Sequence, residues 1–415
     1  MNERWILLVG SGAESFRGYI LESLFNNGFS IFLATDTEPT WENKYIKAST
    51  MVQLDNKSEA IAHFECLNKE GALSKIKGIL TYVELYVELT AEISEMLALN
   101  FYSPMVAELV RDKYKMRECF RTNGLLTPKY TRSELKLENS IKEIGLPCVV
   151  KPLKGHSSIN VIKIEKNTNI KDISRMIEKE DEIKKWGITP EYIVEEYIEG
   201  KEVSVESVVI DGQIIHIAIT DKYKGNEPYF EEIAHILPSK LSQELSQKIY
   251  ETASCGIAAL GLDNCVAHTE IKLNNSGIYL IEIGGRLGGD KIPYLAKLAL
   301  GVDMGRCAGE AAFKIKCSVQ SNEEKYAGIC FFVPTSNQVV EKIPTDLLKI
   351  EGVHEFKFWT KVGDKVLASP DAFFTRLGFV IVQGSSHENC EEIIKEVVNW
   401  VSEETNLSLK VPFEN

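Results

Sequence analysis

Ala267-His268-Thr269-Glu270-Ile271-Lys272, then Asn274-Asn275-Ser276-Gly277, then Tyr279-Leu280-Ile281-Glu282-Ile283 is the stretch from which the rest of this 415-residue chain can be read. Apolar residues on either side of an Asn-Ser-Gly turn read as adjacent antiparallel strands. Glu270 lies four residues before the turn and Glu282 five after it, so the spacing predicts that the two face each other across a hairpin. Facing carboxylates repel, and such pairs usually share a cation or a proton. Hard oxygen ligands suit Mg²⁺, which joins one or two carboxylates to nucleotide phosphates. Taken alone, the pair is better read as two exposed edge residues matched by lysines.

Four residues downstream, Gly284-Gly285-Arg286-Leu287-Gly288-Gly289-Asp290 places four glycines around one arginine. Such a loop lets backbone approach a ligand closely, and a guanidinium fits carboxylate and phosphate as a planar fork. Glycines serving only as turn residues are the competing reading.

Working upstream, Lys151 ends the apolar run Pro147-Cys148-Val149-Val150 and is followed by Pro152. A lysine there is costly to bury unless an anion meets it. Gly155-His156-Ser157-Ser158-Ile159 is a small polar loop whose amides and hydroxyls suit phosphate. No Gly-Lys-Ser/Thr opens a helix, so it is not a Walker A loop. Lys113 begins a helix and by itself reads as a solvated charge. The acidic linker from Ile193 to Glu206, with Glu195, Ile198 and Glu202, suits adenine and ribose, or a plain surface connection.

The first hundred residues alternate strands (5–9, 31–34, 76–82) with helical periodicity, which predicts a doubly wound parallel α/β domain. Gly10-x-Gly12 there is an incomplete dinucleotide fingerprint, since Ser15 takes the third glycine position. A structural turn is the better reading, although Asp36 sits where a ribose-binding acid would. The pattern then becomes α+β. A hairpin is expected over 147–164, helices at about 169–184 and 242–260, and strands at 191–195, 202–210, 213–220, 264–272 and 277–283. Residues 316–415 read as a separate small α+β domain, with strands such as 328–333 and 379–382 and a helix at about 388–403. The expected division is 1–104, 105–315 (with a small lid at about 115–200) and 316–415.

A net charge of −13 argues against nucleic-acid and anionic-membrane partners. It leaves room for ATP in a local basic pocket. Nine cysteines without a C-x-x-C pair suggest reduced thiols in a cytoplasmic protein, and the apolar run before Gly10 is too short for a signal peptide or anchor.

The order Lys113, Lys151-Pro152, the Gly155 loop, Glu195 to Glu202, Glu270 and Glu282-x-x-x-Arg286 resembles the ATP-grasp superfamily over about residues 105–315. The resemblance implies that Lys113, Lys151, Gly155, Ser157 and Ser158 hold ATP phosphates. Glu195 and Ile198 would hold adenine and Glu202 the ribose. Glu270 and Glu282 would bind Mg²⁺ (or Mn²⁺), and Arg286, with Lys151, would stabilise the acyl phosphate. Many relatives carry asparagine where this chain has Gly284, which puts the second metal in question.

Within the superfamily, Ile219 to Lys222, Pro228 to Pro238, the Gly288-Gly289-Asp290 loop and the extra C-terminal region look like the bacterial L-amino-acid ligases. That likeness places Glu232, His235, Arg286, Gly288 and Gly289 around an amino-acid substrate. It implies ADP-forming joining of a small-molecule carboxylate to an amine through an acyl phosphate, and it leaves a homodimer open. An ATP-grasp ligase with another acceptor, or a nucleotide-binding regulator without catalysis, are the rival readings.

Overall fold

The computed structural model describes residues 3–133, 137–169, 173, 191–225, 227–317, 319, 325–344, 350–369, 371–372 and 375–413. It opens with β1 (Arg4–Val9), α1 (Glu14–Asn26), β2 (Phe29–Thr35), β3 (Ile46–Met51), α2 (Lys57–Lys69), β4 (Ile76–Leu80) and α3 (Val87–Met96). The four strands are parallel in the order β3-β2-β1-β4. Ile6, Leu7, Leu8 and Val9 are fully buried because helices cover a parallel sheet on both faces.

Gly10 and Gly12 adopt φ of +75° and +69° in the turn from β1 into α1. A Cβ at Gly10 would lie 2.5 Å from the Tyr86 ring, so that glycine is required by both conformation and space. Asp36 accepts from Leu54 N at 2.6 Å and from the Tyr86 hydroxyl at 2.7 Å. Both of its oxygens are thus committed to structure, in keeping with a structural turn.

Next come α4 (Pro104–Arg111), α5 (Lys113–Thr122), β5 (Tyr130–Ser133), α6 (Leu137–Ile144), β6 (Cys148–Pro152), β7 (Ile162–Ile164) and β8 (Tyr192–Glu196). These strands form a small antiparallel sheet in the order β5-β8-β6-β7, which contains the expected 147–164 hairpin. The helix expected at about 169–184 falls mainly outside the described residues.

The larger sheet is built from β9 (Lys201–Ile210), β10 (Gln213–Lys224), β11 (Glu232–Leu237), β12 (Cys265–Asn274) and β13 (Gly277–Gly284). Helix α7 (Gln243–Leu260) packs on it, capped by the Ser242 side chain at its start and ended by Gly261 at φ +76°. Then follow α8 (Ile292–Leu300), α9 (Met304–Ala312), β14 (Tyr326–Phe331), the short β15 (Gln338–Val339), β16 (Val353–Phe358), the short β17 (Lys365–Val366), β18 (Gly378–Gly384) and α10 (His387–Thr405).

The C-terminal strands do not form the separate sheet that a separate C-terminal domain implies. The sheet order is β13-β12-β9-β10-β11-β14-β18-β16, so the final hundred residues extend the central sheet. The link is β11, which was not expected as a strand. It pairs with β10 on one side and β14 on the other. Burial drives the join, since Ile236 and Ala234 share one core with Cys330, Val380 and Ile394.

A second core runs from Ile6, Ile20 and Leu24 through Leu295 and Cys307 to Ile329 and Phe379, tying the parallel domain to the central sheet. Each fully buried leucine or isoleucine there contributes about 1.5–3 kcal/mol. Cys307 and Cys317, read from the sequence as scattered thiols, bring their sulfurs within 2.6 Å. Among the described residues no helix is long and apolar enough to cross a membrane.

Candidate active site

A cavity of about 350 Å³ lies where the small sheet, the central sheet and the parallel domain meet. Of the residues singled out from the sequence, all but His235 and Gly288 line it. The charged wall is drawn from many elements, among them the end of β6, the start of α5, the β12–β13 hairpin and the loop after it.

Glu270 and Glu282 stand opposite each other in the β12–β13 register, as the turn spacing required, with a bulge immediately after Glu270. Each is also matched by a lysine, as the plainer reading had it. Glu282 Oε1 accepts from Lys113 Nζ at 3.1 Å, and Glu270 Oε1 accepts from Lys222 Nζ at 2.7 Å. The two side chains remain about a quarter exposed, at 24% and 23%. Their Oε2 atoms have no partner among the described residues. Two facing carboxylates with free hard oxygens are a donor set that fits Mg²⁺. Gly284 adds no side-chain ligand.

Lys113 is the first residue of α5, whose cap Asp112 accepts from Tyr114 N and Lys115 N at 2.9 and 3.1 Å. The cap fixes where the helix begins and so where Lys113 points. Lys151, at the end of β6, is buried and meets Glu195 Oε2 at 2.6 Å. Glu195 Oε1 meets Arg117 Nε at 2.9 Å, and Arg117 is fully buried. Burial holds the Lys151 ammonium below its ordinary range even with Glu195 alongside. Burial alone would raise the Glu195 carboxyl, but Arg117 and Lys151 outweigh it and hold it low. Both oxygens of the Glu195 carboxylate thus meet cations, and the residue lines the cavity.

The loop after β6 holds Ser157 and Ser158 at φ of +54° and +54°, left-handed values uncommon for serine. Held strain of this kind tends to occur at ligand-binding loops. Beyond β8, Ile198 O accepts from Lys272 Nζ at 2.5 Å. Burial, with Lys224 nearby, pulls the Lys272 ammonium down to about 8. Glu202 is buried and paired with Lys224, and at 3.5 Å with Lys222.

Lys222 was not assigned a role from the sequence. It is almost fully buried and gathers Glu232 at 2.5 Å, Glu270 at 2.7 Å and Glu202 at 3.5 Å. Burial would lower its pKa, but the three carboxylates win and keep it charged. The period-2 strand Ile219-Thr220-Asp221-Lys222 does put Lys222 on a regular face. What that face meets was not readable. His268 is similar: burial opposes its charge, yet Glu206 at 2.6 Å and Glu270 push the imidazole up to about 9.

Arg286 shares Glu84 with Arg111: its Nε donates to Glu84 Oε2, and Arg111 Nη1 donates to Oε1 at 2.6 Å. Burial would raise the Glu84 carboxyl, but the two guanidiniums hold it far below the carboxylate range. His235 is fully buried behind the wall, 3.1 Å from Asp290 and 3.3 Å from Glu232. It does not line the cavity itself but touches two acids that do, Glu232 and Asp290. Gly288 is also behind the wall, where a Cβ would sit 3.0 Å from Glu206 and from His268. Gly289 faces open space. Arg376, from the C-terminal region, clamps Asp290 with two bonds of 2.6 and 2.8 Å.

Residues 144–294 match the family model described as ATP-grasp domain. An alanine–anticapsin ligase of Bacillus subtilis is 33% identical over 294 residues, which cover 64% of this chain and 61% of that protein. A D-alanine–D-alanine ligase of Flavobacterium johnsoniae is 29% identical over 175 residues, 40% of this chain and 51% of that one. The chain thus spans less than two thirds of the length of these curated relatives. The crystal structure of an L-amino acid ligase from Bacillus licheniformis superposes with a TM-score of 0.80 over 100% of both chains, at 21% identity.

Proposed function

We propose that this chain, which carries an ATP-grasp domain in an ATP-grasp fold, is an ADP-forming carboxylate–amine ligase acting on L-amino acids. The observation that carries the reading is the bipolar cavity. One end offers Lys113, Lys151 and the facing Glu270–Glu282 pair, which suits nucleotide phosphates. The same cavity also offers the Arg286 guanidinium and the Glu232 and Asp290 carboxylates, a cation and anions that suit a zwitterion.

On this reading Lys113 and Lys151 bind phosphate oxygens, and the Gly155–Ser158 loop covers them. The backbone near Ile198 meets adenine, and Glu202 meets the ribose. Glu270 and Glu282 would hold Mg²⁺ (or Mn²⁺), which when bound neutralises the transferring phosphoryl group. A carboxylate is a poor electrophile because its leaving group would be oxide. Phosphorylation supplies a good one, and amine attack then forms the amide and releases phosphate. Arg286 stabilises the charge on the acyl phosphate and on the tetrahedral oxygen. No covalent enzyme intermediate is needed, so the protein's tasks are positioning and exclusion of water.

The direct test is Mg²⁺-dependent ADP release across single and paired L-amino acids. Release with one pair and not with either member alone supports the ligase. Silence across the whole panel refutes it.

Glu232 is assigned to the substrate ammonium. Glu232→Ala is expected to raise the amino-acid KM about 10- to 100-fold while the ATP KM moves less than about 3-fold. Steady-state kinetics with each substrate varied in turn checks this. If the two constants rise together, Glu232 acts through Lys222 on the nucleotide end instead.

A further inference from the structure

Arg17 sits at the substrate end of the cavity, on the first turn of α1, where the Gly10–Gly12 turn delivers the helix to the cavity wall. Its Nη1 donates to Gly288 O at 3.1 Å, and its guanidinium lies 5.8 Å from the Tyr82 ring. Among the described residues it has no carboxylate partner. Arginines held away from bulk water are normally paired, because an uncompensated charge is costly there.

The neighbouring charges do not supply the missing one. Glu84 is shared by Arg111 and Arg286, so one carboxylate already serves two guanidiniums. Asp290 is clamped by Arg376 and touched by His235. Asp290 is near enough to act on Arg17 through space, but both of its oxygens are held by Arg376, so among the described residues no carboxylate is bonded to Arg17.

The proposed reaction brings two anions to this end. One is the donor carboxylate, which becomes the acyl phosphate and is assigned to Arg286. The other exists only if the amine substrate is itself an amino acid. Its amine loses a proton and attacks the acyl carbon, the new C–N bond forms, and the C–O bond breaks with its electron pair leaving on phosphate. The acceptor's own carboxylate passes through unchanged and needs a cation throughout.

We infer that Arg17 binds the carboxylate of an amino-acid acceptor and so discriminates it from an amine or amide of the same shape. This rests on the ligase reading and adds to it a specificity residue. Arg17 is a specificity residue that a charge-neutral acceptor leaves unmatched.

The experiment measures kcat/KM for ADP release with a fixed donor, comparing each of the common L-amino acids as acceptor with its carboxamide. A carboxamide keeps the nucleophile, loses the negative charge and cannot serve as donor. In the unmodified protein the acid is expected to be preferred over its carboxamide by about 100-fold, the scale of losing one partner of a desolvated charge pair. Arg17→Ala should bring that ratio close to 1. Arg17→Lys, which keeps the charge and loses the fork, should retain an intermediate ratio and carries the test if the alanine variant does not fold. An unmodified protein that uses carboxamides as well as acids overturns the inference while leaving the ligase reading intact. So does an Arg17→Ala or Arg17→Lys protein that keeps the full preference. Absence of ADP release with every amino acid in the unmodified protein overturns the ligase reading itself.

Discussion

Glu282→Gln is expected to lower kcat/KM for ADP release by about 1,000-fold while leaving the protein folded. The substitution is close to isosteric. Its amide oxygen can still accept from Lys113, whose Nζ lies 3.1 Å from Oε1, so the local hydrogen bond survives and only the charge is lost. A neutral amide is a weak ligand for a hard dication. Two residues on, Gly284 has no side chain that could serve as a backup ligand. Glu282 is the cleaner of the two glutamates to test. Glu270 also anchors Lys222 and contacts His268, so Glu270→Gln disturbs two charged neighbours at once. Steady-state assays over a range of Mg²⁺ concentrations, with circular dichroism as a folding control, decide the matter. Turnover within about 10-fold of the unmodified protein at saturating Mg²⁺ would falsify the assignment of the facing carboxylates to the metal.

Arg117→Met should produce the largest loss of stability, about 3–5 kcal/mol in urea unfolding. The arginine is fully buried, and its loss removes the ion pair to Glu195 Oε1 and the bond from Nη2 to Ile281 O at 2.5 Å. Methionine fills much of the same volume, so the effect is electrostatic more than a cavity. Glu195 would be left with Lys151 as its single cation, 2.6 Å away and equally buried. That tightens the pair and makes the ammonium less available to a ligand, so affinity for an unreactive ATP analogue should fall about 10-fold as well. A variant within about 1 kcal/mol of the parent would show that the buried triad is neutral overall. Unchanged nucleotide affinity would show that Lys151 does not depend on how Glu195 is shared.

These two residues differ in how visible they are before folding. Glu282 follows Glu270 across an Asn-Ser-Gly turn, and a turn of known length sets which residues of a hairpin face each other. Arg117 lies in a helix of mixed charge, and nothing in its spacing says that it will be fully buried against a strand that begins 75 residues later.

Short-range periodicity determined the parallel α/β start, the β6–β7 and β12–β13 hairpins and the limits of α7, while the ordered set of lysines, glutamates and one arginine that lines the cavity was legible only through its resemblance to the ATP-grasp superfamily. Turn geometry, strand alternation and helix caps act over a few residues and leave their mark in the residues themselves. Only the tertiary structure decided the rest. It joined the C-terminal strands to the central sheet through β11, gathered Glu202, Glu232 and Glu270 around Lys222, shared Glu84 between Arg111 and Arg286, and set Arg17 at the cavity wall. Those pairings link positions far apart in the chain. Burial of whole apolar faces selects them, and the charged side chains are carried to partners that no local pattern encodes.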